Sequence, residues 1–521
     1  MHNEEYHPLR RALISVYRKE GVVSLAKHLV DMGVEIITSG GTQKALNEAG
    51  QAPRSVSDIT QFPEMLDGRV KTLHPLIFGG ILHKETPEHL SQLDHHQIGP
   101  IDLVIVNLYP FEETITREDS SLSDAIEKID IGGPSLIRAA AKNFKYKTVL
   151  VEPDQYPELI SELESHNGGT SMAFRHKCAI RAFEHTARYN ALISEYLREK
   201  AGGESDLPAE FTLQGRKVQD LRYGENPHQK AAFYVSSRKN PLNDYKQLHG
   251  KELSYNNILD LDAALTMVRE YMDEPTSVIV KHNNPCGAAQ DKDLLTSYKK
   301  ALATDPISAF GGIVGFNRPV EEKLATEMKS HFFECIIAPE FSEAAMEILT
   351  KKKNLRLVTC NLRMATDRHQ IRTVSGGFLI QSSDDLMIDI RNSKVVSKRK
   401  PTEKEWKTMA FVWRLSKHVH SNAIVFARDN QLVGIGAGQM SRVDAAELAI
   451  AKAAKTDNIL TDSVVASDAF FPFRDGVDVI ARAGARAIIQ PGGSVRDDEV
   501  IAAADEHDVA MVFAGYRHFK H

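Results

Sequence analysis

Between residues 22 and 199 short β-type runs alternate with helical ones, and this alternation constrains the fold more than any other feature of the chain. VVSLAKHLVDM carries Val22, Leu25, Leu29 and Val30 near helical spacing, VEIIT (34–38) reads as a strand, and SGGT follows it directly. LVIVNLYPF (103–111) is a buried-type strand stopped at Pro110. SDAIEKI and PSLIRAAAKN predict helices around a turn at Asp130–Gly133, and KTVLVE (147–152) predicts a further strand. Strands that alternate with helices imply an α/β domain on a mostly parallel sheet, covered on both faces.

The helical pattern from Met172 to Lys200 stops at AGGESDLP, whose glycines, polar run and Pro208 mark a boundary. The expected domains are therefore 1–200 and 208–521. The second region is too long for one typical domain and predicts two packed α/β lobes, with a seam between about residues 350 and 405. In the last lobe SNAIVFARDNQLVGIGAG predicts a hairpin turning at Asp429–Asn430, followed by three more strand–helix alternations.

Composition excludes more than it identifies. A net charge of −6 with 26% charged residues argues against binding nucleic acid by bulk electrostatics. No apolar run approaches the roughly 20 residues that span a bilayer, and MHNEEYHPLRRALISV lacks the pattern of a secretory signal. Cys178, Cys286, Cys335 and Cys360 are scattered without a CxxC pair, so neither zinc nor dithiol chemistry is expected and a reducing cytoplasm is.

Several strings carry chemistry. Ser39-Gly40-Gly41-Thr42 follows a strand and opens a helix, as a phosphate site does, although an ordinary turn with a threonine N-cap looks the same. Arg69, Lys71 and His74, broken by Gly68 and Pro75, read as an anion-binding loop or as a solvated basic segment. Asn107 and Tyr109 end a parallel strand, where ligands bind in open α/β sheets. Asp130-Ile131-Gly132-Gly133 followed by Lys142 offers a carboxylate, backbone amides and an ammonium.

In the second half an apolar strand runs into Lys281-His282-Asn283-Asn284-Pro285-Cys286-Gly287, an electrophile beside a group that titrates near neutrality. Ser308-Ala309-Phe310-Gly311-Gly312 sets an aromatic beside exposed backbone. Ser467-Asp468-Ala469-Phe470-Phe471-Pro472-Phe473-Arg474-Asp475 can stack a flat heterocycle and bind its polar edge, with at least one phenylalanine left to the core. Gly434–Gly438 resembles a dinucleotide loop but lacks a well-placed acidic partner, so NAD is rejected.

SGGT, GRVKTLHP, NLYPF, IDIGG, LRYGENPHQ, KHNNPCG, SAFGG, SNAIV, GIGAGQ and SDAFFPFRD occur in one order along essentially the whole chain. In that order they resemble the bifunctional purine-biosynthesis family of aminoimidazole carboxamide ribonucleotide (AICAR) formyltransferase/IMP cyclohydrolase. The resemblance implies a methylglyoxal-synthase-like parallel-sheet domain for the cyclohydrolase and two cytidine-deaminase-like lobes for the transformylase. Pro285-Cys286 continues as Gly287-Ala288-Ala289, so the zinc-binding PCxxC of true deaminases is missing.

By the same resemblance, Lys281 supplies charge and donors at the formyl-transfer centre, His282 manages the proton and Asn422 orients the reacting groups. The nucleotide is expected on Arg222, Tyr223, His228, Gly311, Glu334, Arg442 and Phe470, with His521 closing over it. The co-substrate, 10-formyltetrahydrofolate, is expected on Phe310, Phe473 and Asp475. Ring closure is expected on Lys71, Tyr109, Asp130 and Lys142, with Asp130 and Lys142 moving protons and Lys71 and Tyr109 stabilising oxygen charge. The phosphate is expected on Ser39, Gly40, Gly41 and Thr42 near Lys19 and Arg69, and Thr72, Asn107, Gly132 and Gly133 complete that site. No metal or redox cofactor is implied, and a homodimer with the transformylase site at its interface is. Ser15-Val16-Tyr17-Arg18-Lys19 departs from the family's commoner S-V-S-D-K, and His420 stands where relatives often carry lysine. Competing readings are a nucleotide-sensing regulatory protein and a transformylase with an inactive first domain.

Overall fold

The alternation in the first 200 residues is realised as a five-stranded parallel sheet in a computed structural model describing residues 6–66, 70–117, 119–202, 207–236, 244–365, 369–386 and 388–521. The chain folds as two compact units, Met1–Gln214 and Gly215–His521. The first contains β1 (His7–Pro8), β2 (Arg11–Val16), β3 (Glu35–Thr38), β4 (Arg54–Ser55), β5 (Leu103–Asn107), β6 (Thr148–Leu150) and β7 (Gly169–Thr170). The sheet order is β4-β3-β2-β5-β6 with every pair parallel, while β1 pairs only with β7. β5 is buried along its whole length, as its unbroken apolar run requires. The winding reverses between β2 and β5, so a crevice opens where their carboxyl ends part. The helix Gly132–Lys142 packs against β5 and β6 through Leu136, Ile137, Ala139, Ala140 and Ala141, and the helix Met172–Ala201 covers it.

The second unit holds β8 (Arg216–Leu221), β9 (Ala231–Val235), β10 (Lys246–His249), β11 (Thr276–Lys281), β12 (Asn284–Gln290), β13 (Gly312–Phe316), β14 (Phe333–Ala338) and β15 (Arg356–Thr359). It continues with β16 (His369–Val374), β17 (Gly377–Ser382), β18 (Lys394–Val395), β19 (Ile424–Arg428), β20 (Gln431–Gly436), β21 (Ser463–Ser467), β22 (Ala485–Gln490) and β23 (Ala510–Phe513). Twelve of these form one mixed sheet in the order β10-β15-β14-β13-β11-β12-β20-β19-β21-β22-β23-β18.

This order contains the same lobe twice. Each lobe has an antiparallel hairpin (β11–β12, β19–β20), a strand antiparallel to the hairpin's first arm (β13, β21) and two more strands parallel to that one. The lobes meet where Ala289 of β12 pairs with Gln431 of β20. The second hairpin turns at Asp429–Asn430, both at positive φ as a type I′ turn demands. Because β12 and β20 are antiparallel, the first hairpin's turn lies at the same end of the sheet as the carboxyl ends of β20 and β21. Among the described residues no helix is long and apolar enough to cross a membrane.

Candidate functional site

Several of the residues expected in the first unit lie along its crevice. Asn107, at the end of β5, bridges to the chain leaving β2: its Oδ1 accepts from Tyr17 N–H (2.6 Å) and Arg18 N–H (3.0 Å), and its Nδ2 donates to Arg18 O (3.2 Å). Asn107 is therefore spent on building the crevice. Thr42 is likewise spent, exchanging two 3.0 Å bonds with the peptide groups of Val16. The helix starts earlier than the string suggested, at Gly40, and its N-cap is Ser39 rather than Thr42. Among the described residues no side chain caps it, and the buried Ser39 hydroxyl has no partner. A helix N-terminus with free N–H groups and an unsatisfied hydroxyl favours an anion.

Two ammonium groups flank this N-terminus. A Cβ on Gly40, whose φ is +54°, would stand 3.2 Å from Lys71 Nζ, and one on Gly41 would stand 3.9 Å from Lys19 Nζ. Lys19 is tethered to the carbonyls of Val16 and Tyr17 and to Thr42 Oγ1. Burial, and then the nearby charge of Lys71, lower its pKa. Two cations held close at a helix N-terminus favour a doubly charged group such as phosphate. Arg69 lies outside the described residues. His74 does not join this group: its Nδ1 accepts from Leu76 N–H at 3.2 Å and caps the helix Pro75–Leu82.

Across the crevice, Asp130 Oδ1 accepts from Gly133 N–H at 2.8 Å. Gly133 is obligatory here, since a Cβ would fall 2.5 Å from the Asp130 carboxylate and 2.7 Å from Leu108. Thr72 Oγ1 lies 3.0 Å from where a Cβ on Gly132 would be. Burial raises the Asp130 pKa, and the N–H groups of Gly133, Tyr109 and Gly132 with the charge of Lys71 only partly offset it. Tyr109 stands half open at the mouth, its ring 5.5 Å from that of Tyr17 and 6.0 Å from Lys128 Nζ. Lys142 is not brought to this group. It ends the eleven-residue helix that Gly132 begins, about 15 Å away along the axis at 1.5 Å per residue.

In the second unit the Lys281 string forms the first lobe's hairpin turn. Lys281 closes β11, His282 and Asn283 occupy the turn at φ +51° and +61°, and Asn284 opens β12. Lys281 Nζ donates to Phe310 O and Gly311 O, both at 3.0 Å, leaving one N–H of the ammonium for another acceptor. The His282 side chain is exposed at the tip. Asp260 fixes the turn by accepting Asn283 N–H at 2.7 Å. Phe310 is 66% exposed beside Phe332, and Glu334 pairs with Arg356 at 2.6 Å where β14 begins.

The other half comes from the second lobe. Asn422 precedes β19, with its Nδ2 donating to Gln439 O at 2.9 Å and its Oδ1 accepting from Arg442 at 2.9 Å. Arg442 also donates to Ser467 Oγ (3.0 Å) and pairs with the fully buried Asp468, which accepts from Ser421 as well. His420 joins the halves, its N–H donating to Asn284 Oδ1 at 3.1 Å. Burial, then Lys520, His521 and Arg372, lower the pKa of His420, so its imidazole is readily kept neutral. Lys520 O accepts from Ser421 N–H at 2.8 Å, which sets His521 beside this region.

Phe470 (38% exposed) and Phe473 (47%) lie beyond β21, while Phe471 is core. The Arg496 guanidinium covers the Phe473 ring at 4.7 Å, and Asp475 starts the next helix, accepting from Gly476 N–H at 2.7 Å. The expected folate contacts are not brought together. β13, next to Phe310, and β21, next to Phe473, are five strand spacings apart, about 24 Å across the sheet. Arg222, Tyr223 and His228 sit on the connection between β8 and β9, outside the twelve-stranded sheet, with the Arg222 guanidinium 5.7 Å over the Tyr223 ring. Asp260 and the pairing role of Asp468 carried no recognisable sequence signal. All four cysteines are free and buried, and burial pushes the Cys286 thiol up to about 12.

Comparison with known proteins covers both units. The model of an MGS-like domain matches residues 21–135, and that of the AICARFT/IMPCHase bienzyme matches residues 140–452. A solved structure described as "Crystal structure of ForH" is 33% identical over 36% of this chain and 97% of its own, with a TM-score of 0.33. The bienzyme match spans more than half of the 521 residues, so the chain belongs to the AICARFT/IMPCHase bienzyme family and both formylates AICAR and closes the product to IMP.

Proposed function

We propose that the two reactions are divided between the two units, ring closure in the crevice of Met1–Gln214 and formyl transfer at the Lys281–His282 turn of Gly215–His521. The formyl donor of the family is a folate, and we take it to be 10-formyltetrahydrofolate. In the first reaction the AICAR amine attacks the formyl carbon, the bond from that carbon to folate N10 breaks, and the amine's proton passes to the departing folate. The amine is a weak nucleophile because its lone pair delocalises into the imidazole carboxamide. Lys281 stabilises the oxyanion, His282 carries the proton, and Asn422 and Arg442 orient the nucleotide. The observation that carries this reading is the Lys281 ammonium, fixed by two carbonyls with one N–H left over, beside a histidine held at the tip of a rigid turn.

In the second reaction the carboxamide nitrogen attacks the new formyl carbon and water leaves. Asp130 takes the amide proton, Lys71 and Tyr109 meet the oxygen charge, and the phosphate sits on Ser39, Gly40 and Gly41 between Lys19 and Lys71. Lys142 has no part in this version, since it lies at the far end of its helix.

We further propose a cytoplasmic homodimer in which one copy's Phe310 side meets the other copy's Phe473 side. The wide separation of those aromatics in one chain and their exposure support this, and the four free thiols fit a reducing compartment.

The test uses the intact protein and two assays, formyl transfer and closure of preformed formyl-AICAR. Lys281→Ala and His282→Ala each lower formyl transfer by about 10²–10³-fold and leave closure at the wild-type rate. Equal loss of both reactions would refute the division. Mixing Phe310→Ala with Phe473→Ala, each defective alone, restores formyl transfer if two copies share the folate site, and restores nothing if one chain builds it.

A further inference from the structure

Tyr189, on the long helix Met172–Ala201, is buried, and its hydroxyl is fully engaged. Its Oη accepts a hydrogen bond from Asp130 N–H at 2.8 Å and donates one to Lys128 O at 3.1 Å. These two bonds fix the peptide groups on either side of Ile129, in the segment joining the helices Leu122–Glu127 and Gly132–Lys142. The Asp130 carboxylate is gripped from the opposite side by Gly133 N–H. The Tyr189 ring also lies edge-on to Phe111, 6.3 Å between centroids, and Phe111 N–H donates to Tyr109 O at 2.8 Å. A single side chain therefore touches both segments that line this wall of the crevice, one bearing Asp130 and the other Tyr109.

We propose that Tyr189 is the positioning residue for ring closure, its hydroxyl and ring setting the Asp130 carboxylate against the backbone of Tyr109 and so setting the proton transfer. This rests on the reading of Asp130 as the base. Tyr189 itself moves no proton, because burial pushes its hydroxyl up to about 12. Its effect passes through alignment. Burial raises the Asp130 carboxyl; the N–H of Gly133, the charge of Lys71 and the N–H groups of Tyr109 and Gly132 pull it back in part, and the N–H groups do so only while they stay aimed at it. Without the Tyr189 hydroxyl, Asp130 N–H and Lys128 O lose their partner and the segment is free to turn away from those donors.

Tyr189→Phe removes one oxygen and keeps the ring. With preformed formyl-AICAR across a pH series, kcat falls about tenfold, KM stays within about twofold, and the low-pH limb of kcat moves to higher pH. Formyl transfer keeps its wild-type rate and reports that the protein is folded. Tyr189→Leu, which also removes the ring contact with Phe111, falls further with the limb displaced in the same direction. A wild-type kcat and limb in Tyr189→Phe overturns the proposal, as does a lower kcat with the limb unmoved, which would mark a purely structural role. Asp130→Asn, assayed in parallel, separates the two layers of the argument. If it retains closure, the base has been misassigned and the inference falls with it. If it loses closure while Tyr189→Phe behaves as wild type, only the positioning role is wrong.

Discussion

Asp102 and Asp130 stand at opposite ends of the sheet in the Met1–Gln214 unit, and their surroundings push their carboxyls in opposite directions. Burial favours the neutral acid at both. Asp102, just before β5 at the amino end, has that effect outweighed by hydrogen bonding with His7, the charge of Lys147 and the N–H of Arg10, which hold it at about 2. Its oxygens accept from Arg10 N–H at 2.9 Å, Arg11 N–H at 3.3 Å and Lys147 Nζ at 3.3 Å. Asp130, at the carboxyl end, has backbone donors and the charge of Lys71 but, among the described residues, no ion-pair partner, and its pKa stays above the usual value. Burial by itself therefore distinguishes nothing. A carboxylate given a full set of partners is a strut, and one left under-compensated in a crevice is the more basic of the two and the better placed to take a proton.

The largest effect expected from this contrast is on catalysis. Asp130→Asn keeps the size and the bond from Gly133 N–H but cannot accept a proton, so closure of formyl-AICAR falls by about 10²–10⁴-fold. Thermal unfolding should show no loss of stability, and even a gain, because a carboxylate held in an unfavourable setting has been removed. Unimpaired closure would erase the distinction between the two aspartates.

Asp102→Ala works the other way. It leaves the Lys147 ammonium, 0% exposed, without its anion, a change that costs about 3–5 kcal/mol. Urea unfolding should register that loss, while the folded fraction closes formyl-AICAR at the wild-type rate. Asp102→Asn combined with Lys147→Met should recover much of the stability, since replacing both partners by neutral side chains removes the buried charges together. A variant at Asp102 that kept its stability and lost closure would mean that the amino end takes part in the chemistry.

Which of these aspartates is visible in sequence follows from how each is assembled. Asp130 announces itself, because the carboxylate, the two glycines and the helix start all lie in IDIGG. Asp102 reads only as the residue before an apolar strand, and its partners His7 and Lys147 stand far from it in the chain until the fold brings the three together. The same rule covers the rest of the molecule. The strand–helix alternation and the Asp429–Asn430 turn are local chemistry and were legible, whereas the turn at His282–Asn283 falls before Asn284-Pro285-Cys286-Gly287, which is strand. The joining of the lobes through Ala289 and Gln431 is not local and was not. Thr42 looked like an N-cap because its type suits one, yet a bond to Val16 across the crevice claimed its hydroxyl. Lys142 follows Asp130 by only twelve residues, but the helix Gly132–Lys142 converts that interval into distance.

The smallest effect is the pH dependence of stability, where the two aspartates carry opposite signs. Asp102 falls from the ordinary 3.8 to about 2 on folding, so its contribution is fully present above about pH 4 and is lost as pH drops through the folded value near 2. The size of that contribution is about 2 kcal/mol. Asp130 is raised on folding, so it subtracts stability at neutral pH, and that penalty is relieved as acid protonates it. Urea midpoints between pH 5 and pH 2 should therefore decline less steeply in Asp102→Asn than in the wild type. In Asp130→Asn they should decline more steeply in the range just above pH 4, where the compensating gain has gone. If the Asp102→Asn curve keeps the wild-type slope, the carboxyl is not held low by its neighbours and the strut is not electrostatic. If the Asp130→Asn curve is also unchanged, the crevice leaves that carboxyl ordinary, and the basicity on which ring closure depends must come from another group.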